Sequence, residues 1–156
     1  MADSILEQIA VEFLSTIRGI NQASGYENNV TASRRKQRYS QVEDPTGKDR
    51  HCVIYQDNPL RDTEPPQQHV GWRQPFYVLC YVTEDEDTSV SLDTRINSLR
   101  ADVEKAVRAN PHMSALAVDT VIDDPIMIED EHGGIMGIAV RAVVWYRTLQ
   151  DDPYTQ

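Results

Sequence analysis

Hydrophobic residues occupy every second position over much of segment 133–149. Because strand side chains point to opposite faces with a period of two, alternate positions of a strand share one face. The other alternate set is interrupted by Arg141. The pattern therefore predicts a long strand with one face in the core, formed by Met136, Ile138, Val140, Ala142, Val144 and Tyr146.

A second apolar segment, 117–128, precedes this strand. It is rich in Val and Ile, contains Pro125, and is joined to the strand by the polar segment 130–134, which ends in Gly-Gly. A short polar connection with glycines between two apolar runs favours a hairpin. We expect a long C-terminal hairpin at the centre of one sheet.

Two other segments have apolar residues spaced three and four positions apart, which is typical of amphipathic helices. The first predicts a helix over about 4–22, with Ser4 and Glu7 at capping-box spacing and Gly25 as a left-handed stop. The second predicts a helix over about 91–109, closed by Asn110 and Pro111.

The remaining strands are predicted at 29–38, 51–55 and 70–83, with Pro75 marking a bulge or bend and loops at 41–50 and 56–68. Residues 76–82 are apolar in both alternate sets, so we expect helices on one face and a neighbouring subunit on the other. The order is α-β-β-β-α-β-β. It predicts an α+β fold whose mostly antiparallel sheet carries two amphipathic helices on one face. We assign 1–149 to a single domain and 150–156 to a polar C-terminal tail.

The formal net charge of the 156 residues is −10. Residues 1–75 carry nine Lys or Arg against ten Asp or Glu, and residues 76–156 carry six against fifteen. A protein that grips phosphates needs a basic footprint, so this balance argues against sequence-specific nucleic-acid binding. The one basic cluster is either a local contact patch or a solvated strand and loop: Arg34, Arg35, Lys36 and Arg38.

No apolar run approaches the roughly 20 residues that cross a bilayer, and the first twenty residues lack a basic start. We therefore expect no membrane partner and no signal peptide. Cys52 and Cys80 lie in strand-like segments. We interpret them as small buried side chains in a reducing compartment, with a structural disulfide as the alternative.

Motifs for catalysis are absent from the sequence. There is no glycine-rich phosphate loop and no Gly-x-Ser-x-Gly, and the four histidines lack zinc-like spacing. Segment 129–132 is either a metal or acid–base cluster or a solvated turn. The acidic run is either a cation site or a solvated loop before a helix: Glu84, Asp85, Glu86 and Asp87.

The aromatic residues allow two interpretations. A set spread over two strand segments is either a platform for stacking bases or part of the core and a subunit interface: Trp72, Tyr77, Tyr81, Trp145 and Tyr146. The acidic charge favours the second interpretation. The sequence thus favours a structural or interaction protein without catalytic residues.

The whole layout resembles the tail terminator (tail completion) proteins of long-tailed bacteriophages. The features that carry the resemblance are the first helix with Ile5, Phe13 and Ile17, the segment 20–26 ending in Gly-Tyr, and a strand with Val30 and basic residues. They continue with segment 77–82, an acidic break, the second helix, and the closing strand 137–147 followed by Asp152-Pro153.

The resemblance implies a small α+β subunit in a ring, typically a hexamer, at the head-proximal end of the tail. Such a ring stops polymerisation of the tail tube protein and joins the tail to the head connector or neck protein. The implied location is the virion, after assembly in the host cytoplasm. The resemblance implies no cofactor and no catalysis.

A head-to-tail ring needs two complementary patches on each subunit. Our hypothesis is that the basic cluster from Arg34 to Arg38 contacts the acidic run from Glu84 to Asp87 on a neighbour or on the tube. An acidic lumen would let DNA pass without specific binding. The alternatives are a neck adaptor or tube-like subunit and, in another class, a small bacterial α+β enzyme or ligand-binding domain.

Overall fold

The computed structural model of the chain describes residues 3–34, 50–62, 69–83, 89–129 and 135–156. Two α-helices, α1 (Ile5–Arg18) and α2 (Leu92–Ala109), are accompanied by a short 3-10 helix at Gln22–Ser24. The strands are β1 (Val30–Arg34), β2 (Arg50–Gln56), β3 (Leu60–Arg61), β4 (His69–Thr83), β5 (Asp119–Ile122), β6 (Ile126–Glu129) and β7 (Ile135–Leu149). The predicted α+β class is confirmed.

The described strands form one sheet in the order β1-β2-β4-β7-β5, with β3 paired to β4 and β6 paired to β7. Strands β1 and β2 run parallel, and every other described pair is antiparallel. Strand β7 lies between β4 on one side and β5 and β6 on the other. The predicted hairpin strand is therefore central, although the connecting turn 130–134 lies outside the described residues.

The predicted bulge inside β4 at Pro75 is absent, but the neighbouring segment is irregular there. Three residues, 57–59, lie between β2 and β3 opposite the two residues Gln74 and Pro75. Strands β4 and β7 pair residue for residue from His69 opposite Leu149 to Thr83 opposite Ile135, without an inserted residue. The Pro75 carbonyl accepts a hydrogen bond from Asp57 N–H at 3.1 Å, so the peptide edge of Pro75 points toward the β2 side. Strand β2 ends at Gln56, and the missing N–H of the proline therefore interrupts no ladder.

The single strand predicted over 117–128 is instead two short strands, β5 and β6. Ile122 lies opposite Ala142 and Ile126 lies opposite Ala139, so three residues of one chain segment face two residues of β7. The extra residue makes segment 123–125 a β-bulge. The segment includes Pro125, which has no N–H to donate. The bulge moves Ile126 onto the same face as Val121, although the two residues differ by an odd number of positions.

The first helix is shorter than predicted. Ser4 caps its start and accepts from Glu7 N–H at 3.2 Å, but the helix ends at Arg18 with Gly19 as its C-cap, four residues before the predicted end. The Asn21 side chain accepts from Ser24 N–H at 2.9 Å and stabilises a separate 3-10 turn. Gly25 adopts the expected left-handed conformation, with φ 84°, but it closes that turn and not α1.

Helix α2 begins one residue after the predicted start and ends at the predicted residue. Both helices pack on the sheet face formed by the even-numbered residues of β4 and β7, as predicted. Phe13 of α1 stacks on Phe76 of β4, with ring centroids 4.7 Å apart. The core of this face also contains Ile9, Ile17, Cys52, Ile54, Val78, Cys80, Ile96, Leu99, Val103, Ile138, Val140, Ala142, Val144 and Tyr146.

The other predicted strands are confirmed with shifted bounds, and the segment 56–68 predicted as a loop contains the short strand β3, which pairs with β4. Strand β1 covers the first part of the predicted segment 29–38, whose residues 35–38 are not described, and β2 is longer than predicted by one residue at each end. Pro153 of the C-terminal segment accepts from Ile5 N–H at 3.1 Å, which joins that segment to the start of α1. No helix in the described part of the chain has the length and apolar character needed to cross a bilayer.

Candidate interaction surface

Arg34 is the one described residue among the eight predicted contact residues. It lies at the end of β1, and its guanidinium binds the Glu7 carboxylate of α1 through both terminal nitrogens, the Nη2–Oε2 distance being 3.1 Å. Nη2 also donates to Gln56 Oε1 at 3.3 Å. The charge of Arg34 is thus partly neutralised within its own subunit.

The other seven predicted contact residues, Arg35, Lys36, Arg38, Glu84, Asp85, Glu86 and Asp87, lie outside the described residues. So do three members of the proposed metal or acid–base segment, 130–132. Within the described ranges, no group of three or more His, Cys, Asp or Glu side chains is arranged to hold a metal ion.

The sheet face opposite the helices carries the odd-numbered residues of β4 and β7, and we call it the open face. In the described ranges, α1 and α2 both pack on the other face. The predicted aromatic set is divided by this geometry: Tyr77, Tyr81 and Trp145 lie on the open face, whereas Trp72 and Tyr146 lie on the helix face.

Trp145 is the most prominent aromatic residue of the open face. It lies between Arg73 on β4 and Asp119 on β5, each directly opposite it in the sheet. The Arg73 guanidinium carbon lies 4.5 Å from the centroid of the Trp145 ring, which is a cation–π contact. Trp145 remains 38% exposed, so this stacked pair presents a broad planar surface to solvent.

A second arginine–aromatic pair lies on the open face four residues away along β7. Arg141 is opposite Tyr77, with its guanidinium carbon 6.0 Å from the ring centroid. The same guanidinium binds the carboxylate of Asp123 at the bulge. The bulge therefore places an acid beside Arg141 and fixes this side chain, whereas Arg147 has no carboxylate partner in the described part of the chain.

Apolar side chains surround these pairs unevenly. Val121 and Ile126 are 44% and 57% exposed, whereas Val53 and Ala139 of the same face are buried. Val121 lies opposite a β7 residue two positions from Trp145. Ile126 lies opposite Ala139, six positions from Trp145. An exposed apolar side chain beside a tryptophan is typical of a contact surface, so the exposed part of the open face is centred on Trp145 and Val121.

A cleft of about 220 Å³ continues the open face beyond Trp145. Its lining includes His69 from the start of β4, Arg147 from the end of β7, and Ala115 and Val118 from the segment between α2 and β5. Among the described lining residues, the ionisable side chains are the imidazole of His69 and the guanidinium of Arg147. The cleft can therefore hold an anionic group.

The cleft is bordered by unusual backbone. Met113, Ser114 and Ala115 have φ values of 43°, 54° and 72°, so three successive residues other than glycine are left-handed. Left-handed conformations are costly for residues that carry a Cβ. Met113 is fully buried, and Ser114 N–H donates to Asn110 Oδ1 at 3.1 Å, which helps to hold the turn in place.

Sequence reasoning missed Arg73, Arg141 and Arg147 as members of one surface. These arginines are dispersed along the sequence, and only the pairing of β4 with β7 brings them together. A signal was nevertheless present, because Arg141, Trp145 and Arg147 share one alternate set of β7.

No protein-family model and no curated protein matches the chain.

Proposed function

We propose that the protein is a structural subunit of a bacteriophage virion with the role of a tail terminator. It would form a ring that caps the head-proximal end of the tail tube, stops its polymerisation and connects it to the head. The resemblance described above suggests this role, and the exposed Trp145–Arg73 pair on the open face is the observation that supports an assembly function.

The charge distribution supports contact between copies. The chain is strongly acidic overall, but Arg73, Arg141 and Arg147 lie on one face. Arg73 pairs with Asp62 at 3.8 Å and Arg141 pairs with Asp123, whereas Arg147 has no carboxylate partner in the described part of the chain. A head-to-tail ring requires two different complementary surfaces on each subunit, and opposite charge favours their encounter. The Arg147 end of the open face of one subunit would thus bind an acidic surface on the next.

The composition of the open face supports the same role. Interface centres are enriched in Trp, Tyr and Arg, and such anchors contribute most of the binding energy. The cleft beside Arg147, at about 220 Å³, is small for a substrate site, since ligand pockets usually span about 300–1,000 Å³. These features favour assembly over catalysis.

The test is light scattering on the purified protein over a range of concentrations, with negative-stain images of the same samples. We expect closed rings with a fixed number of subunits at high concentration or after addition of the tail tube protein. Monomers under both conditions, with a folded circular dichroism spectrum, would contradict the proposal.

Substitutions test whether the open face is the contact surface. Trp145→Ser should raise the protein concentration needed for ring formation at least tenfold, because a hot-spot truncation costs about 2 kcal/mol or more. Val11→Ser, at an exposed apolar position of α1, is the matched control and should leave assembly unchanged. Equal effects of the two substitutions on assembly would show that the open face is not part of the interface.

The basic cluster predicted from sequence needs a separate test. Arg34→Glu also disrupts the pair with Glu7, so it confounds assembly with a contact inside the subunit. Charge reversal at Arg35 and Lys36 leaves that pair intact. We expect the double variant to fold normally and to assemble more weakly, and unchanged assembly would exclude the cluster as a contact.

A further inference from the structure

Two cysteines face each other across neighbouring strands of the core. Cys52 of β2 is directly opposite Cys80 of β4, and their sulfur atoms are 3.5 Å apart. Both thiols are free and fully buried. The sequence interpretation of small buried side chains is confirmed for both residues, but it did not reveal that they are cross-strand neighbours.

The backbone geometry at this position is compatible with a disulfide. Residues directly opposite on antiparallel strands have Cα atoms roughly 4.5–5.5 Å apart, and disulfides join Cα atoms separated by roughly 4.4–6.8 Å. The sulfur atoms need to approach by about 1.5 Å to reach bonding distance. Side-chain rotation with a small strand adjustment is sufficient for that.

We propose that Cys52 and Cys80 are an oxidisable dithiol, whose modification to an intramolecular disulfide links β2 to β4. The inference does not rest on the proposed virion role. The oxidant class is a small-molecule disulfide such as oxidised glutathione. A medium more oxidising than the cytosol is the condition under which such disulfides persist.

The reaction proceeds by thiol–disulfide exchange. One cysteine thiolate attacks a sulfur of oxidised glutathione, forms a mixed disulfide and releases one glutathione thiolate. The second cysteine thiolate then attacks the protein sulfur of the mixed disulfide and releases the second glutathione. Two protein thiols and one oxidised glutathione thus give one protein disulfide and two reduced glutathione molecules.

The folded core slows this reaction. The hydrogen bond with Cys52, together with burial, raises the pKa of the Cys80 thiol, and the thiolate is the reactive form. The Cys80 thiol also lies 3.6 Å from the Val78 carbonyl oxygen, to which it donates. Oxidation is therefore expected during folding or strand opening, and the closed protein should keep its thiols.

The test begins with wild-type protein unfolded in urea and refolded with equimolar reduced and oxidised glutathione. The product is unfolded again, alkylated with iodoacetamide and weighed by mass spectrometry. We expect one monomeric species without alkylation, and a peptide joining Cys52 to Cys80 after proteolysis. Two alkylated thiols, glutathione adducts alone, or links only between chains would overturn the proposal.

Thermal unfolding provides the second measurement. The disulfide closes a loop of 29 residues from Cys52 to Cys80 and restricts the unfolded chain, so the midpoint should rise by roughly 5–10 °C. Dithiothreitol should reverse the rise. Cys52→Ala and Cys80→Ala are matched controls that should show no dependence on the redox buffer, and an equal rise in either would contradict the assignment.

Discussion

Asp102 of α2 accepts hydrogen bonds from both the backbone N–H and the side-chain amide of Asn28, each at 2.8 Å, across 74 positions of sequence. Glu27 N–H donates to the same carboxylate at 3.0 Å. Asp102 is only 4% exposed, so these bonds replace water around a buried charge. The carboxylate thereby fixes the segment before β1 against the second helix.

Replacing Asp102 by Ala should lower the free energy of unfolding by about 2–4 kcal/mol. The substitution leaves the buried Asn28 backbone N–H without a partner and also removes the charge-assisted bonds from Glu27 N–H and the Asn28 side-chain amide. Urea denaturation followed by circular dichroism measures the change. Asp151→Ala, the same substitution at an exposed position, should stay within about 0.5 kcal/mol, and equal midpoints for the two variants would refute the assigned role of Asp102.

The Phe13–Phe76 stack is part of the packing between α1 and the sheet, and its contribution to stability can be tested. Both rings are fully buried, so Phe13→Ala should lower the free energy of unfolding by about 3–5 kcal/mol through lost burial and the resulting cavity. Val11 lies on the same helix but is 52% exposed, and Val11→Ala should have little effect. A small loss for Phe13→Ala would mean that the core can collapse around the cavity.

Local sequence patterns contain enough information for the helices and the long strands. The alternation along β7 predicts which of its residues are buried, because a strand with one face in the core must alternate. The three–four spacing in α1 and α2 predicts their buried stripes for the same reason. These patterns are read within one segment and need no knowledge of its neighbours.

Local sequence patterns do not indicate which segments pair with each other. Nothing near Trp145 in sequence indicates that Arg73 lies opposite it, and nothing near Asp102 indicates Asn28. The bulge at 123–125 likewise depends on how β5 and β6 both align with β7. The predicted contact residues are local runs of like charge, whereas the open face is formed by single residues from several strands.

We expect the protein to lose stability at alkaline pH because the Tyr146 phenol is buried. Burial raises the pKa of this phenol to about 12, from an ordinary value of about 10. Because the folded protein holds this proton more tightly than the unfolded chain, the stabilisation is fully present below pH 10 and is lost as the pH rises from 10 to about 12.

Urea midpoints at pH 8, 10 and 11 measure this dependence, with Tyr146→Phe as the comparison. The variant keeps the ring but has no ionisable group, so its midpoint should fall less over the same interval. Tyr81 also has a raised pKa because of burial, and it remains in both proteins as an internal background. Parallel curves for the two proteins would show that Tyr146 does not contribute.

The left-handed turn before β5 predicts that the same substitution has opposite effects at two sites. Ala115 has φ 72°, where a Cβ is strained, so Ala115→Gly should leave the free energy of unfolding unchanged or raise it by up to about 1 kcal/mol. Ala101 is exposed within α2, and Ala101→Gly should lower it by about 1 kcal/mol. Both variants increase the entropy of the unfolded chain equally, so the difference between their urea midpoints isolates the native-state strain. Equal destabilisation by the two variants would show that the turn stores no strain at Ala115.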